Sequence, residues 1–279
     1  MNSLNKKANK NSDETCTSLA GYEVVKADPI NQKRIMKLVA YFISKEVRER
    51  KKDGVVVGLS GGLDSAVAIV LSVKALGNKR VVAFILPEGK LTPGIDLVNA
   101  QKIVESLKIQ AFTIDIVRSK NDLLKFLPQH RLASGNLSSR IRMAILYYYA
   151  TVNNLLVLGT SDKSELMLGY FTKNGDGAAD VFPLGGLYKT EVRHLALELG
   201  LPEALVRQPS SPRIWAKQTA EGEIGLPYDK IDEILRALEK NLLKECSANK
   251  SDIKKILTWI NKTQHKREFP PICKIIQLG

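Results

Sequence analysis

The stretch GVVVGLSGGLDS, at residues 54–65, decides the fold of this chain. Its valine run at 55–57 is short, apolar and β-branched, which is typical of a strand buried on both faces. The glycines Gly61 and Gly62 predict a tight turn, and residues 64–76 then follow a helical pattern that Gly77 ends. A buried strand that turns directly into a helix indicates the first unit of a parallel α/β sheet.

The same alternation of strand and helix continues on both sides of this stretch. Three further apolar runs predict strands at 80–87, 110–116 and 155–161. Helical spacing, with Asp28 and Asp96 as caps, predicts helices at 29–51, 96–107, 120–127, 137–152, 189–199, 229–243 and 251–265. Strands joined by helices imply right-handed crossovers. The predicted fold class is therefore α/β: a doubly wound, Rossmann-like parallel sheet with flanking helices.

The composition is that of an ordinary globular protein. Of 279 residues, 44% are hydrophobic and 25% are charged, and no apolar run approaches the ~20 residues of a membrane span. The N-terminus lacks the apolar core of a secretory signal, so we expect a cytoplasmic protein without a membrane partner. Residues 1–20 are rich in Asn, Lys, Ser and Thr and predict a mobile tail before a single domain at 21–279.

Charge and cysteine content exclude several classes of protein. Lys and Arg exceed Asp and Glu by 42 − 29 = 13, but no RNA-binding signature accompanies this charge. We therefore expect anionic small molecules, and not nucleic acid, as partners. The cysteines Cys16, Cys246 and Cys273 lie far apart with no CxxC pair, which argues against a disulfide framework or a cysteine-rich zinc site.

The glycine loop at 58–65 has the features of an anion site. It follows a buried strand, and ligands of open α/β sheets bind at that edge. Backbone N–H groups at the start of the following helix favour an anion, and Ser60 and Ser65 can donate from their hydroxyls. Asp64 beside a phosphate would be repulsive without a cation between them, which predicts Mg²⁺. The alternative is an ordinary glycine-rich turn that caps a helix.

A second set of polar residues follows the fourth predicted strand. Thr160 can bond a nucleotide, and Glu165 can supply a second carboxylate to magnesium, although an ordinary capped loop is the alternative for both. Residues 169–180 combine two aromatic residues, Lys173 and Asp180, which suits a planar ring and its polar substituents. Lys189 begins a predicted helix, where the alternative is a solvated helix face.

These motifs resemble those of a known enzyme family. The loop SGGLDS resembles the SGGxDS loop of the adenine-nucleotide α-hydrolase superfamily, the N-type ATP pyrophosphatases, and neither the Walker loop nor GxGxxG is present. Within that superfamily, the segment 159–192, GTSDKSELMLGYFTKNGDGAADVFPLGGLYKTEV, is similar to the central signature of the NAD synthetases. GNLSSRIR at 135–142 and QHKR at 264–267 are similar to two further family segments. The resemblance covers about residues 30–268.

The resemblance implies an ATP- and Mg²⁺-dependent ligase. It would amidate deamido-NAD with ammonia and release NAD, AMP and pyrophosphate through an NAD-adenylate. A homodimer is implied as well, with the tyrosine-rich helix at 140–152 as the interface candidate. The alternatives are another pyrophosphate-releasing enzyme, acting on a nucleotide or tRNA, and a non-catalytic nucleotide-binding protein.

Site residues follow from the resemblance position by position. The implied catalytic residues are Asp64, Glu165 and Lys189, with Asp64 and Glu165 as magnesium ligands. The implied ATP contacts are Gly58, Leu59, Ser60, Gly61, Gly62, Leu63, Asp64, Ser65, Thr160 and Lys189, together with Ser210 or Ser211. The implied deamido-NAD contacts are Arg140, Lys173, Asp180, His265 and Lys266. Two departures from the family pattern are Ser161, where many members have Asp, and the serines at 210–211, where many have Thr.

The nitrogen source can also be predicted. Some NAD synthetases draw ammonia from glutamine with a fused amidase domain that uses a cysteine nucleophile. Only 57 residues precede Gly58, and Cys16 lies in a polar stretch with no feature that would lower its pKa. We therefore expect free ammonia to be used.

Overall fold

Four parallel strands form the sheet that positions the rest of the chain. The structure is a computed structural model and describes residues 32–273. The strands are β1 (Gly54–Gly58), β2 (Val81–Ile85), β3 (Gln110–Thr113) and β4 (Leu155–Leu158). Their order across the sheet is β3-β2-β1-β4, and Val56 of β1 lies opposite Val82 of β2 and Val157 of β4. The chain winds one way from β1 to β3 and then returns to place β4 on the other side. This order creates a switch point between β1 and β4, where open α/β sheets bind ligands.

Helices surround the sheet. In chain order they are α1 (Gln32–Glu49), α2 (Leu63–Leu76), α3 (Gly94–Leu107), α4 (Val117–Leu124), α5 (Arg131–Val152), α6 (Lys163–Leu168), α7 (Lys189–Glu198), α8 (Glu203–Val206), α9 (Ala220–Ile224), α10 (Tyr228–Glu239), α11 (Lys250–Lys262) and α12 (Gln264–Arg267). The predicted doubly wound α/β sheet is thus confirmed.

Alternate residues of β1 pack into two separate cores, because side chains alternate across a strand. Val55 and Val57 contact the larger core, which α1, α2, α3 and α7 complete. Val56 faces the opposite side, where α5 covers the sheet with Leu146 and Ala150. Both faces of the central strand are therefore buried, which explains its continuous valine run.

A third apolar cluster lies beyond the sheet and joins the C-terminal helices. It is centred on Tyr228, which is fully buried, and includes Leu168 of α6 and Ile256 of α11. This cluster closes over the start of α7. The C-terminal third of the chain, in which no strand was predicted, thus covers residues that follow the sheet edge.

Several predicted helix boundaries differ from the structure. The α4, α10 and α11 helices end three or four residues before their predicted ends, and three helix starts differ as well. Asp96 does not cap α3, which begins at Gly94; it lies buried in the first turn and binds Arg213 instead. The α5 helix begins at Arg131 and not at 137, since His130 caps it by accepting a 3.2 Å hydrogen bond from Ala133 N at Nδ1. The α4 helix begins at Val117, three residues before its predicted start.

The predicted tail at 1–20 and the predicted cap Asp28 lie outside the described residues, as does Cys16. Cys246 and Cys273 are free thiols. Among the described residues, no helix combines the length and apolar character needed to cross a bilayer.

Candidate active site

A cleft opens at the carboxyl edge of the sheet. Its lining includes the glycine loop after β1, the end of β2, residues 159–161 after β4, and residues 208–213. Gly61 has a φ of +78°, and a Cβ at this position would lie 1.9 Å from the backbone oxygen of Asp96. Only glycine fits there, so the loop can pass tightly beneath α3.

The glycine loop is held by its own hydroxyl groups. Ser65 Oγ accepts a 3.2 Å hydrogen bond from Ser60 N and donates a 3.0 Å hydrogen bond to Gly62 O, while Ser60 Oγ accepts from Gly62 N at 3.2 Å. No side chain caps the N-terminus of α2. Its first N–H groups therefore face the cleft as a site for an anion such as phosphate.

Beside the loop, one buried ammonium lies among three carboxylates. Lys189 Nζ is 2.7 Å from Asp64 Oδ2, 2.8 Å from Asp162 Oδ2 and 3.1 Å from Glu165 Oε1. The side chain of Lys189 is 0% exposed, which excludes the alternative of a solvated helix face. The structure thus brings Asp64, Glu165 and Lys189 together from three separate segments. We call Lys189 and the three carboxylates, Asp64, Asp162 and Glu165, the acidic cluster.

Asp162 is a member of this cluster that we did not predict. It is fully buried, and its Oδ1 caps α6 by accepting a 2.8 Å hydrogen bond from Glu165 N. A capping aspartate three residues before a site glutamate was the available sequence signal, but it is equally typical of an ordinary helix start.

Burial and charge shift the pKa values within the cluster in ways that couple its members. Burial raises the pKa of Asp162 to about 6, because the attraction of Lys189 offsets only part of the desolvation and Asp64 adds repulsion. Glu165 is likewise raised well above its ordinary pKa by burial, again opposed by Lys189. For Lys189, burial disfavours the charge, but the three carboxylates prevail and hold its pKa well above the usual value.

The acidic cluster fits a divalent cation. One oxygen from each of Asp64, Asp162 and Glu165 lies within 4.8 Å of the others. Asp64 Oδ1 is buried and has no hydrogen-bond partner among the described residues, so this oxygen is available to a metal ion. Carboxylate oxygens are the protein ligands that Mg²⁺ prefers, and Asp64 and Glu165 remain its predicted ligands.

A buried aspartate on α10 fixes the start of α7, and with it Lys189. Asp232 accepts hydrogen bonds from the hydroxyl of Ser164 and from Thr190 N, the latter at 2.9 Å. The same Ser164 Oγ accepts a 3.0 Å hydrogen bond from Lys189 N. The ring of Tyr228 lies under the ammonium, 5.3 Å from Nζ to the ring centroid. The C-terminal helices therefore hold the cluster in place.

Four of the five residues predicted to contact deamido-NAD form a second group. Arg140 Nε donates to the Lys173 carbonyl at 3.3 Å, and the Lys173 ammonium donates to the His265 carbonyl. Lys266 Nζ donates to the carbonyls of Gly169 and Phe171, at 2.9 Å and 2.7 Å. The start of α12 thereby meets the 169–177 loop and α5.

Asp180, the fifth residue, is placed differently. Its Oδ2 accepts a 2.7 Å hydrogen bond from Val157 N, and its Oδ1 lies 3.5 Å from the Tyr147 hydroxyl. The carboxylate fastens its loop to β4. None of the five residues, Asp180 included, is among those that line the cleft. The contacts of all five residues with deamido-NAD remain predictions.

The remaining predicted ATP contacts line the cleft. Thr160 does so directly after β4, next to Ser161, the residue that departs from the family pattern. Ser210 and Ser211 both line it as well, and Ser211 Oγ accepts a 3.1 Å hydrogen bond from Arg213 N. The structure thus leaves either serine hydroxyl within the cleft.

Comparison with known proteins places the chain among enzymes of one kind. A family model described as NAD synthase matches residues 35–270, which contain the whole acidic cluster. An NH(3)-dependent NAD(+) synthetase of Staphylothermus marinus is 43% identical over 245 residues, covering 85% of this chain and 89% of that protein.

Two solved structures agree with this relationship. An NMN synthetase from Francisella tularensis has a TM-score of 0.80 at 33% identity, over 88% of this chain and 99% of that chain. An NH3-dependent NAD synthetase from Campylobacter jejuni, in complex with the nitrate ion, has a TM-score of 0.76 at 33% identity, over 88% and 100% of the two chains.

Proposed function

The chain belongs to the NAD synthase family, and we propose that it makes NAD from deamido-NAD, ammonia and ATP, with AMP and pyrophosphate as further products. One observation carries this proposal: a buried lysine and three carboxylates lie beside an uncapped, phosphate-type loop in a chain 43% identical to an NH(3)-dependent NAD(+) synthetase.

The reaction requires two displacements. First, a nicotinate carboxylate oxygen attacks the α-phosphorus of ATP, and the bond from that phosphorus to pyrophosphate breaks. Second, ammonia attacks the acyl carbon of the adenylate, the carbon–oxygen bond to AMP breaks, and a proton leaves the nitrogen. Adenylation is needed because a free carboxylate is a poor electrophile without a leaving group.

The residues of the cleft suit the first displacement. The N–H groups of the glycine loop and the hydroxyl of Ser60 bind phosphate oxygens, while Ser65 holds the loop in place. Lys189 supplies positive charge beside them. Asp64 and Glu165, with Asp162 next to them, would hold Mg²⁺. When bound, Mg²⁺ offsets the negative charge of the phosphates.

The proposal is tested by incubating the protein with ATP, MgCl₂, an ammonium salt and deamido-NAD. Chromatography should show NAD and AMP forming in equal amounts. Omission of ammonium should stop NAD formation. Glutamine in place of ammonium serves as a further arm, and we expect no NAD from it. Failure to form NAD with all four components would overturn the proposal.

A second candidate substrate is nicotinate mononucleotide, because the Francisella tularensis protein with a TM-score of 0.80 is described as an NMN synthetase. That compound carries the same nicotinate carboxylate but lacks the adenylyl half of deamido-NAD. Competition between the two acids in one assay decides the matter. We expect deamido-NAD to be consumed first, and preferential formation of nicotinamide mononucleotide would favour the second candidate.

The pH dependence follows from the nucleophile. Only unprotonated ammonia has the lone pair needed to attack the acyl carbon. At fixed total ammonium, the rate of NAD formation should therefore rise with pH through the alkaline range, until another group titrates. Rates plotted against the calculated concentration of free ammonia should fall on one curve. A rate that follows total ammonium at every pH would contradict this expectation.

Lys173 is predicted to serve deamido-NAD more than ATP. In Lys173→Ala, we expect the KM for deamido-NAD to rise about tenfold, the typical effect of losing one charged hydrogen bond. The KM for ATP should change less than about twofold. Steady-state kinetics with each substrate varied measure both values, and Lys262→Ala, at the exposed end of α11, is the matched control. Equal weakening for both substrates would place Lys173 elsewhere in the site.

We further propose a homodimer through the face formed by β3, α4 and α5. Several large apolar side chains are exposed there: Phe112, Ile114, Leu123, Phe126, Leu127, Leu132, Tyr148 and Val152. Exposed apolar patches of this kind mark interaction sites, and a self-complementary patch suits a two-fold dimer.

Light scattering should give about twice the chain mass of 30.9 kDa for the wild-type protein. Tyr148→Glu places a charge on a side chain that is 76% exposed and should shift the protein to monomer. Tyr41→Glu is the control, because Tyr41 is 59% exposed on α1, which packs on the opposite face of the sheet. A wild-type monomer would refute the dimer.

A further inference from the structure

Arg142 of α5 lines the cleft, and only its Nε is held by a hydrogen bond to the protein among the described residues. Its Nε donates a 2.9 Å hydrogen bond to Leu86 O at the end of β2. Its Nη2 is 3.8 Å from Glu88 Oε2, which is an ion-pair contact beyond hydrogen-bond distance. Within residues 32–273, neither terminal nitrogen donates a hydrogen bond to the protein. A guanidinium oriented in this way therefore keeps unused donors.

A buried ion pair lies behind Arg142. The Lys120 ammonium on α4 binds Glu88 Oε1, and both side chains are only 9% exposed. Replacement of such pairs by apolar residues is often neutral or stabilising, so stability alone does not explain their presence. Glu88 Oε2, the oxygen nearest Arg142, is buried without a hydrogen-bond partner among the described residues. The Glu88 carboxylate therefore binds Lys120 through Oε1, and its Oε2 faces Arg142.

The other cations around the cleft are bound more completely by carboxylates. Two arginines line it, and Arg213 binds Asp96 with both Nε and Nη2, at 2.9 Å and 3.2 Å. The Lys189 ammonium already contacts the three carboxylates of the acidic cluster. Of the two cleft-lining arginines among the described residues, Arg142 is therefore the one whose two terminal nitrogens both remain available to a ligand.

The chemistry of those donors defines the ligand. A guanidinium offers parallel N–H groups that match the oxygens of a phosphate or carboxylate. Burial lowers the pKa of Arg142, and the carboxylate of Glu88 opposes that effect most strongly. An arginine stays charged under these conditions, and partial desolvation strengthens its attraction to an anion.

We propose that Arg142 binds an oxyanion of a bound substrate in the cleft, and that Glu88, paired with Lys120, positions its guanidinium for this. The inference rests on the proposed function, which supplies two sources of that anion. They are the phosphates of ATP and the phosphate or carboxylate groups of deamido-NAD.

Calorimetric titration of each substrate separates the two sources. In Arg142→Gln, binding of the substrate whose anion Arg142 holds should weaken about 10- to 100-fold. Weaker binding of Mg-ATP would identify the ATP phosphates as the anion that Arg142 holds. Weaker binding of deamido-NAD would identify a phosphate or carboxylate of that substrate. Arg142→Lys keeps the positive charge but lacks the parallel N–H groups of a guanidinium, so this variant should bind the substrate with intermediate affinity. Arg118→Gln, an exposed arginine on α4, is the matched control. Unchanged affinity for both substrates in Arg142→Gln would overturn the proposal.

The positioning role of Glu88 is tested by a double-mutant cycle. Glu88→Gln keeps the side-chain shape, and pairing it with Lys120→Met leaves no buried charge alone if the single variant is unstable. Either form should weaken the same substrate that Arg142→Gln weakens. Adding Arg142→Gln to the Glu88 variant should then weaken substrate binding little further, because the two changes remove the same interaction. Additive losses would assign Glu88 a purely structural role and contradict the positioning claim.

The wild-type protein separates this proposal from the proposed function. If the wild-type protein forms no NAD and binds neither substrate, the proposed function is refuted. An active wild type whose Arg142→Gln variant binds and reacts equally well would sink only the role of Arg142.

Discussion

Replacement of Asp64 by asparagine should lower kcat by at least about 100-fold, the scale seen when one electrostatic contact to a transition state is lost. Asp64 Oδ2 contacts Lys189 at 2.7 Å, and its buried Oδ1 has no protein partner among the described residues. Asparagine has the same shape but no charge, so it both weakens a cation site and turns an amide toward an ammonium. Glu165→Gln should act in the same direction, since a shared ion needs both carboxylates.

The fold of the Asp64→Asn variant should survive. Three carboxylates share one lysine in the wild type, so removing one charge also relieves repulsion within the cluster. Thermal unfolding and steady-state rates over a range of MgCl₂ concentrations measure the two effects separately. Asp122→Asn, on an exposed ion pair of α4, is the control. A folded Asp64→Asn variant with nearly wild-type turnover would remove Asp64 from the chemistry.

Replacement of Lys189 by methionine should reduce both stability and activity. Methionine approximates the volume of lysine, so the main change is the loss of the buried ammonium. Breaking a buried ion network by removing one partner typically costs about 3–5 kcal/mol, because unpaired charges stay behind. Turnover should fall at the same time, since the positive charge beside the phosphates is lost.

This loss of stability should depend on pH with a definite sign. The pKa of Asp162 is raised to about 6 even with Lys189 present, so the folded state takes up protons more readily than the unfolded chain. A raised pKa in the folded state contributes stability at low pH and loses it as pH rises through the folded value. Without Lys189, the pKa of the cluster rises further, and Lys189→Met should be less destabilised at pH about 5 than at about 8.

Denaturant unfolding at the two pH values measures the free energy directly. Lys102→Met, an exposed lysine on α3, is the matched control and should unfold like the wild type. An equal unfolding midpoint for Lys189→Met and wild type at the higher pH would show that the ammonium is not needed to hold the carboxylates together.

Local sequence was sufficient for most of the architecture. The valine run at 55–57 and the similar runs of β2 and β4 are apolar because both faces of these strands are buried, so the strand signal needed no knowledge of the partners. The tight turn at Gly61 was likewise predictable from the pair of glycines. Its left-handed φ and the close approach of Asp96 explain why no other residue type fits there. The same local signals placed Asp64, Thr160 and Glu165 at the carboxyl edge of the sheet, where they line the cleft.

The environment of each charged side chain was decided by the tertiary structure. A lysine or aspartate at the start of a helix has the same local pattern whether it is solvated, caps the helix or pairs in the interior. The sequence predicts Asp96 as a helix cap, but it binds Arg213 instead. Asp162 has the local sequence of an ordinary helix cap, yet it completes the acidic cluster.

The contacts that decide these cases join segments far apart in the chain, as Asp64 and Lys189 are. Sequence alone therefore determined the sheet, its glycine loop and the residue types at its edge. Packing of α6, α7 and α10 against one another decided that Lys189 is buried among three carboxylates. The physical reason is that burial depends on what covers a side chain, and the covering residues, Tyr228 and Asp232, carry no mark of this in their own neighbourhood.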